Sequence, residues 1–120
     1  MTKLGINTQR AIRQYKTFEK NPQKKSTFGR IYKLVEHNST KLNGRQKIGL
    51  SIKMTSSYLN GSRDYDTIIR KLPEISGYTG TSHEWFKQLQ HRPKVFMGAI
   101  EKKPIYLKTI NKWAKFAKVK

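Results

Sequence analysis

Lysine and arginine recur in this chain on the polar side of segments whose apolar residues keep helical spacing. In PIYLKTINKWAKFAKVK (residues 104–120), Tyr106, Ile110, Trp113, Ala114 and Ala117 share one side, and Lys108, Lys112, Lys115 and Lys118 lie broadly opposite. TQRAIRQYKTFEK (residues 8–20) repeats the arrangement. There Ala11, Ile12, Tyr15 and Phe18 gather together, while Arg10, Arg13, Lys16 and Lys20 fall on the other side. A strand alternates its side chains with period 2, so a sustained 3.6-residue period commits both ends of the chain to helix.

The intervening segments follow the same pattern. Asn7 or Thr8 is a candidate cap for the first helix, and Asn21-Pro22 ends it. Ser26 or Thr27 is placed to cap a second helix over 28–38, FGRIYKLVEHN, with Phe28, Ile31, Leu34 and Val35 at core spacing. After the polar break NSTKLNG, the spacing predicts a short helix over 45–53 and one or two more over 56–72, stopped by Pro73. SGYTGTS (76–82) has loop chemistry, and Ser82, Trp85, Phe86 and Leu89 open a helix over 82–91 that Pro93 interrupts. KVFMGAIE (94–101) satisfies helix and strand periods alike, so 93–103 stays undecided. Pro104 suits the first turn of the last helix, expected over 104–118. The expected fold is all-α or mostly α. It is one domain over 1–120, with a basic N-terminal helix in 1–25, a core in 28–73 and a basic helical region in 82–120.

Charge narrows the function. Twenty-six Lys and Arg stand against seven Asp and Glu, a formal net charge of +19 on 120 residues. Self-repulsion on that scale opposes compaction, so a polyanion is the natural counterweight. Nucleic acid is the expected partner, DNA ahead of RNA, as a homodimer or within a larger nucleoprotein assembly. Membrane is not expected, because no run approaches the roughly 18 apolar residues a spanning helix needs, and MTKLGINTQR lacks an apolar signal core. The absence of cysteine removes disulfides, thiol catalysis and cysteine-ligated zinc, and fits a reducing compartment. The expected setting is intracellular, cytoplasmic or nucleoid-associated; a mitochondrial or virion-associated setting fits the same features.

Against this background Ile48–Gly61, IGLSIKMTSSYLNG, carries a single charge. With the residues before it, RQKIGLSIKMTSSYLNG (45–61) has the layout of two short helices joined by a turn. Ile48 is apolar, Gly49 is small where helices cross, Ile52 and Met54 flank the turn, Thr55 or Ser56 caps the second helix, and Leu59 packs back. The stretch resembles helix-turn-helix DNA-binding regulators of the phage-repressor type. FGRIYKLVEHN resembles their first helix and DYDTIIRKL (64–72) the packing helix that follows, so the likeness spans residues 28–72. Lys53 stands where a turn glycine is frequent in that family. The resemblance implies that Thr55, Ser56, Ser57, Asn60 and Arg63 face base edges in the major groove. Phosphate contacts are expected from Arg10, Arg13, Lys16, Lys20, Arg45, Lys47, Lys53, Lys108, Lys112 and Lys115. A structural RNA-binding protein, such as a ribosomal subunit component, is the alternative, because the basic residues run from end to end. A phage or viral accessory protein acting on a nucleoprotein complex is a third.

Catalytic and metal chemistry find little support, so the chain is read as non-enzymatic and without cofactor. Asp64, Asp66 and Glu74 form the one acidic cluster, but Asp64 and Asp66 point to different sides of a helix and do not converge on a metal. His83-Glu84 begins like a zinc-protease helix, yet Lys87 occupies the position of the second histidine. His37 and His91 make no ligand spacing. The aromatic residues sit mainly at core positions, leaving Tyr58 and Tyr78 as candidates for exposure.

Overall fold

A computed structural model of the protein describes residues 5–60, 89–102 and 104–117. These are predominantly helical, and no strand occurs among them. The helices are α1 (Ile6–Lys20), α2 (Thr27–Asn38), α3 (Gly44–Asn60), α4 (Pro93–Lys102) and α5 (Pro104–Ala114). Residues 89–91 are also helical. The undecided segment 93–103 therefore resolves as helix through Lys102, with proline opening both α4 and α5, where its missing N–H costs nothing.

Caps explain several boundaries. Ser26 is the N-cap of α2, its Oγ accepting from the Gly29 amide at 3.0 Å. Asn43 and Gln46 form a reciprocal capping box at the start of α3: Gln46 N donates to Asn43 Oδ1 and Asn43 N donates to Gln46 Oε1, both at 2.9 Å. The N-terminal expectation needs correcting. α1 begins at Ile6 with Gly5 as its cap residue, and neither Asn7 nor Thr8 caps it. Asn7 Oδ1 accepts from Arg10 Nη1 at 3.3 Å, and the Thr8 hydroxyl meets the Ser56 hydroxyl at 3.1 Å, so both side chains have other partners.

The helices α1, α2 and α5 pack around α3, with α1 also on α2 and α4 bridging α2 and α5. Opposite sides of α3 feed two apolar clusters. Leu50 and Met54 join Ile31, Val35, Phe96, Met97, Ile100 and Ile110, whereas Ile52 joins Ala11, Tyr15 and Phe28. From Gly49 to Ser57 every residue except Lys53 is buried, all the way round the helix. A helix enclosed on every side cannot carry a charged face. That accounts for the neutrality of the central stretch.

The turn expected between residues 53 and 56 is absent; α3 runs unbroken from Gly44 to Asn60. No glycine or proline lies between residues 50 and 60 to stop it, and serine or threonine costs only a fraction of a kcal/mol in a helix, up to about 0.7. The buried Ser51 hydroxyl is satisfied within the helix, donating to the Lys47 carbonyl at 2.7 Å. The expected faces are also reversed: Thr55, Ser56 and Ser57 are buried, while Leu59 is half-exposed. Gly49 does mark a helix crossing, as its size suggested, but the partner is α5. A Cβ there would lie 2.5 Å from Ala114 N and 2.6 Å from Ala114 Cα. The remainder of the expected helix over 56–72, its stop at Pro73, the loop 76–82 and most of the helix over 82–91 lie outside the described residues.

One acidic side chain stitches the connector between α2 and α3 to the rest. Glu101 on α4 is buried and accepts from the backbone amides of Thr40 and Lys41 and from the Thr40 hydroxyl. Hydrogen bonds to an ionised carboxylate are about twice as strong as neutral ones, which suits a fixed crossing between distant segments.

Candidate nucleic-acid interface

The two basic stripes read from the sequence lie on the outer faces of their helices. On α1, Arg10, Arg13, Lys16 and Lys20 are exposed, opposite buried Ala11 and Tyr15. Lys108 and Lys112 on α5 and Lys115 just beyond it are exposed, opposite Tyr106, Ile110 and Ala114. Arg45, in the first turn of α3, is exposed as well, and Lys47 is half-buried.

Lys53 behaves differently. Its Nζ sits 5.1 Å from the centre of the Trp113 ring, a cation–π contact across the α3–α5 interface. It is thus engaged with the fold and half-buried, whereas the cations of α1 are exposed. Lys115 Nζ lies 5.2 Å from the Phe116 ring centre, yet its side chain remains exposed.

Of the five residues expected at base edges, Thr55, Ser56 and Ser57 are buried. The Thr55 hydroxyl has no hydrogen-bond partner among the described residues. The Asn60 side chain and Arg63 lie outside the described residues.

The sequence reading missed the basic residues of α2. Arg30, Lys33 and His37 are exposed at spacing i, i+3, i+7, and with Gln90 they border a shallow surface depression. That spacing was visible in FGRIYKLVEHN, but only its apolar positions drew notice. Lys94 and Lys102 on α4, Arg92 just before it, and Lys24, Lys25 and Lys41 in the connectors are also exposed.

The acids present no opposing face among the described residues. Glu19 accepts from the Tyr15 hydroxyl at 3.0 Å, Glu36 from the Tyr32 hydroxyl at 2.9 Å, and Glu101 holds the Thr40–Lys41 backbone. Partial burial, then the bond to Glu36, pushes the Tyr32 phenol up to about 12, so it stays a neutral donor through the physiological range. Burial likewise raises the Tyr106 phenol.

Among the described residues, no group of three His, Cys, Asp or Glu could hold a metal ion. Nor is any helix there long and apolar enough to cross a membrane. Asp64, Asp66, Glu74 and His83 lie outside the described residues. Comparison with protein-family models, curated proteins and solved structures returned no match.

Proposed function

We propose that the protein is a non-enzymatic nucleic-acid-binding protein that grips structured RNA through phosphate contacts made from several sides, within a larger nucleoprotein assembly. The observation that carries this reading is that exposed lysine or arginine occurs on every described helix: on α1, α2, α4 and α5 and, at Arg45, in the first turn of α3. A DNA regulator reads a groove with one protruding helix. Here Thr55, Ser56 and Ser57, three of the residues expected to protrude, are buried among the helices. Phosphates surrounding a protein on several sides, as in a folded RNA, match outward charge on α1, α2, α4 and α5 better than one duplex groove does.

The test is binding to structured RNA, single-stranded RNA and duplex DNA at several salt concentrations. Structured RNA should bind tightest, with affinity falling steeply as salt rises. Each phosphate neutralised contributes about −0.7 to −0.9 to the log–log salt slope. Replacing Lys108, Lys112 and Lys115 by alanine should flatten the slope by about 2–3 units and weaken all sequences alike. A salt-resistant preference for one duplex DNA sequence would overturn the reading in favour of the helix-turn-helix alternative. Failure to bind any of the three at low salt would overturn both readings.

A further inference from the structure

An aromatic cleft opens where the end of α1, the start of α2 and the first turn of α3 meet. Its volume is about 370 Å³, and its walls include Phe18, Phe28, Tyr32 and Ile48, with Arg45 at the rim. Tyr15 and Phe28 are fully buried in the core below, whereas Phe18, Tyr32 and Ile48 remain partly exposed. The rings are held in place. Phe28 and Tyr32 stack with centroids 5.9 Å apart and planes 12° apart, and Phe18 leans against Tyr32 at 5.3 Å and 58°. The Tyr32 hydroxyl is anchored to Glu36, which fixes the ring orientation.

The cleft offers three chemistries together. Partly exposed aromatic rings suit a flat π system. The exposed Arg45 guanidinium at the rim suits a phosphate or stacks on a ring. The Glu19 carboxylate in the wall is already oriented by the Tyr15 hydroxyl and carries about four acceptor sites in all. A flat ring bearing N–H donors, joined to a phosphate, has this combination of features. A purely apolar occupant would leave the exposed Arg45 guanidinium at the rim unused, and the chain's charge of +19 favours an anion.

We infer that this cleft receives one unpaired nucleobase of an RNA strand, packed against the Phe18 and Tyr32 rings, face-on to one and edge-on to the other, with the neighbouring phosphate on Arg45. This inference rests on the nucleic-acid reading above and adds a discrete base site to its distributed phosphate contacts. Splayed-out bases held on aromatic side chains are the usual means of recognising unpaired RNA.

The experiment uses a short single-stranded RNA carrying one 2-aminopurine, whose fluorescence is quenched on stacking, and a blunt RNA duplex as control. Two variants separate the site from the fold. Phe18→Leu removes a ring while keeping the position apolar. Gly44→Leu narrows the mouth without touching the rings, because Gly44 lines the cleft and a Cβ there meets nothing within 4 Å. The wild type should bind the single strand and quench the probe. Each variant should weaken that binding on the order of tenfold, the scale of losing one base–aromatic stack. Quenching should be lost, and duplex affinity should stay within about twofold. Strand binding without quenching, or quenching untouched by Gly44→Leu, removes the base site and leaves the phosphate reading intact. Absence of binding to strand and duplex alike removes both.

Discussion

Two glycines in helix interiors should respond to alanine with opposite signs. Gly49 on α3 faces the backbone of α5. An added Cβ would sit 2.5 Å from Ala114 N, 2.6 Å from Ala114 Cα and 2.8 Å from the Trp113 carbonyl carbon. Ordinary van der Waals contact starts near 3.4 Å, so relieving the shortest approach needs 0.9 Å of displacement. None of the three atoms belongs to a side chain that could rotate away, so the two helices themselves must separate. A radial gap of about 0.5–1 Å already forfeits a quarter to a half of each attractive contact. Overpacking a core typically costs about 1–3 kcal/mol, and immobile backbone places this site at the upper end. Alanine recovers about 1 kcal/mol of helix propensity. Gly49→Ala should therefore destabilise the protein by about 2 kcal/mol. Gly98, inside α4, would meet nothing within 4 Å. Gly98→Ala should keep the propensity gain and stabilise by about 0.5–1 kcal/mol.

The assay is urea unfolding followed by far-ultraviolet circular dichroism. With m near 1–3 kcal/mol/M, the Gly49 variant should lose on the order of 1 M in midpoint at unchanged m, and the Gly98 variant should gain a fraction of that. A Gly49→Ala midpoint equal to or above wild type would refute the close crossing of α3 and α5. Equal losses at both positions would show that something other than helix approach decides the outcome.

Other perturbations test separate parts of the fold. Glu101→Ala should cost about 1.5–3 kcal/mol in the same unfolding assay, because it strands the Thr40 and Lys41 amides that the carboxylate accepts from; a loss below about 0.5 kcal/mol would mean water replaces it freely. Thr55→Val should stabilise by roughly 1 kcal/mol, since the buried hydroxyl it removes has no partner among the described residues; a destabilised variant would reveal a partner. Tyr32 gains protonated-form stability because its folded pKa, about 12, lies above the ordinary 10.0. That contribution is complete below pH 10 and is lost as pH rises through about 12, so Tyr32→Phe should delete the late tyrosinate absorbance step rather than one near pH 10. Raising ionic strength from about 0.01 to 0.15 M shortens the screening length from roughly 30 to 8 Å; the melting temperature should rise, and a fall would show that attraction between opposite charges outweighs repulsion at +19.

Much of the helical layout was legible, because amphipathic spacing needs only local information. The ends of the chain show this best: Arg10, Arg13 and Lys16 face out with Ala11 and Tyr15 inside, and Lys108 and Lys112 oppose Ile110. The cap at Ser26 and the stop at Asn21-Pro22 are equally local, being set within three or four residues. The middle misled for a physical reason. A periodicity argument assigns one inner face to each helix and sends hydroxyls outward, which suits a helix with neighbours on one side only. α3 has neighbours on three, so Ser56 and Ser57 turn inward as spacers and the expected recognition surface disappears with them. Nothing between residues 45 and 61 announces that enclosure except the missing charge, which pointed to a base-reading surface as readily as to a centre. The aromatic cleft was illegible for a related reason. Phe18, Phe28 and Tyr32 all sit at core spacing, and only the packed helices show that the Phe18 and Tyr32 rings reach the surface.

The enclosure of α3 also explains how a chain with 35% apolar residues can afford so basic an exterior. A globular domain normally draws on about 45–50% apolar residues, glycine included, to build its core. Here Gly49, Ser51, Thr55, Ser56 and Ser57 occupy the centre with small side chains, so the surrounding helices approach closely. Each outer helix then needs only a narrow apolar stripe to cover its share of α3: Ala11 and Tyr15 are the fully buried residues of α1. What remains of each surrounding helix is free to be lysine and arginine. Neutral centre and cationic shell are thus two halves of one arrangement. The low charge of residues 48–61 permits the fold, and the fold in turn sends the positive charge outward on several sides, where a surrounding polyanion would meet it.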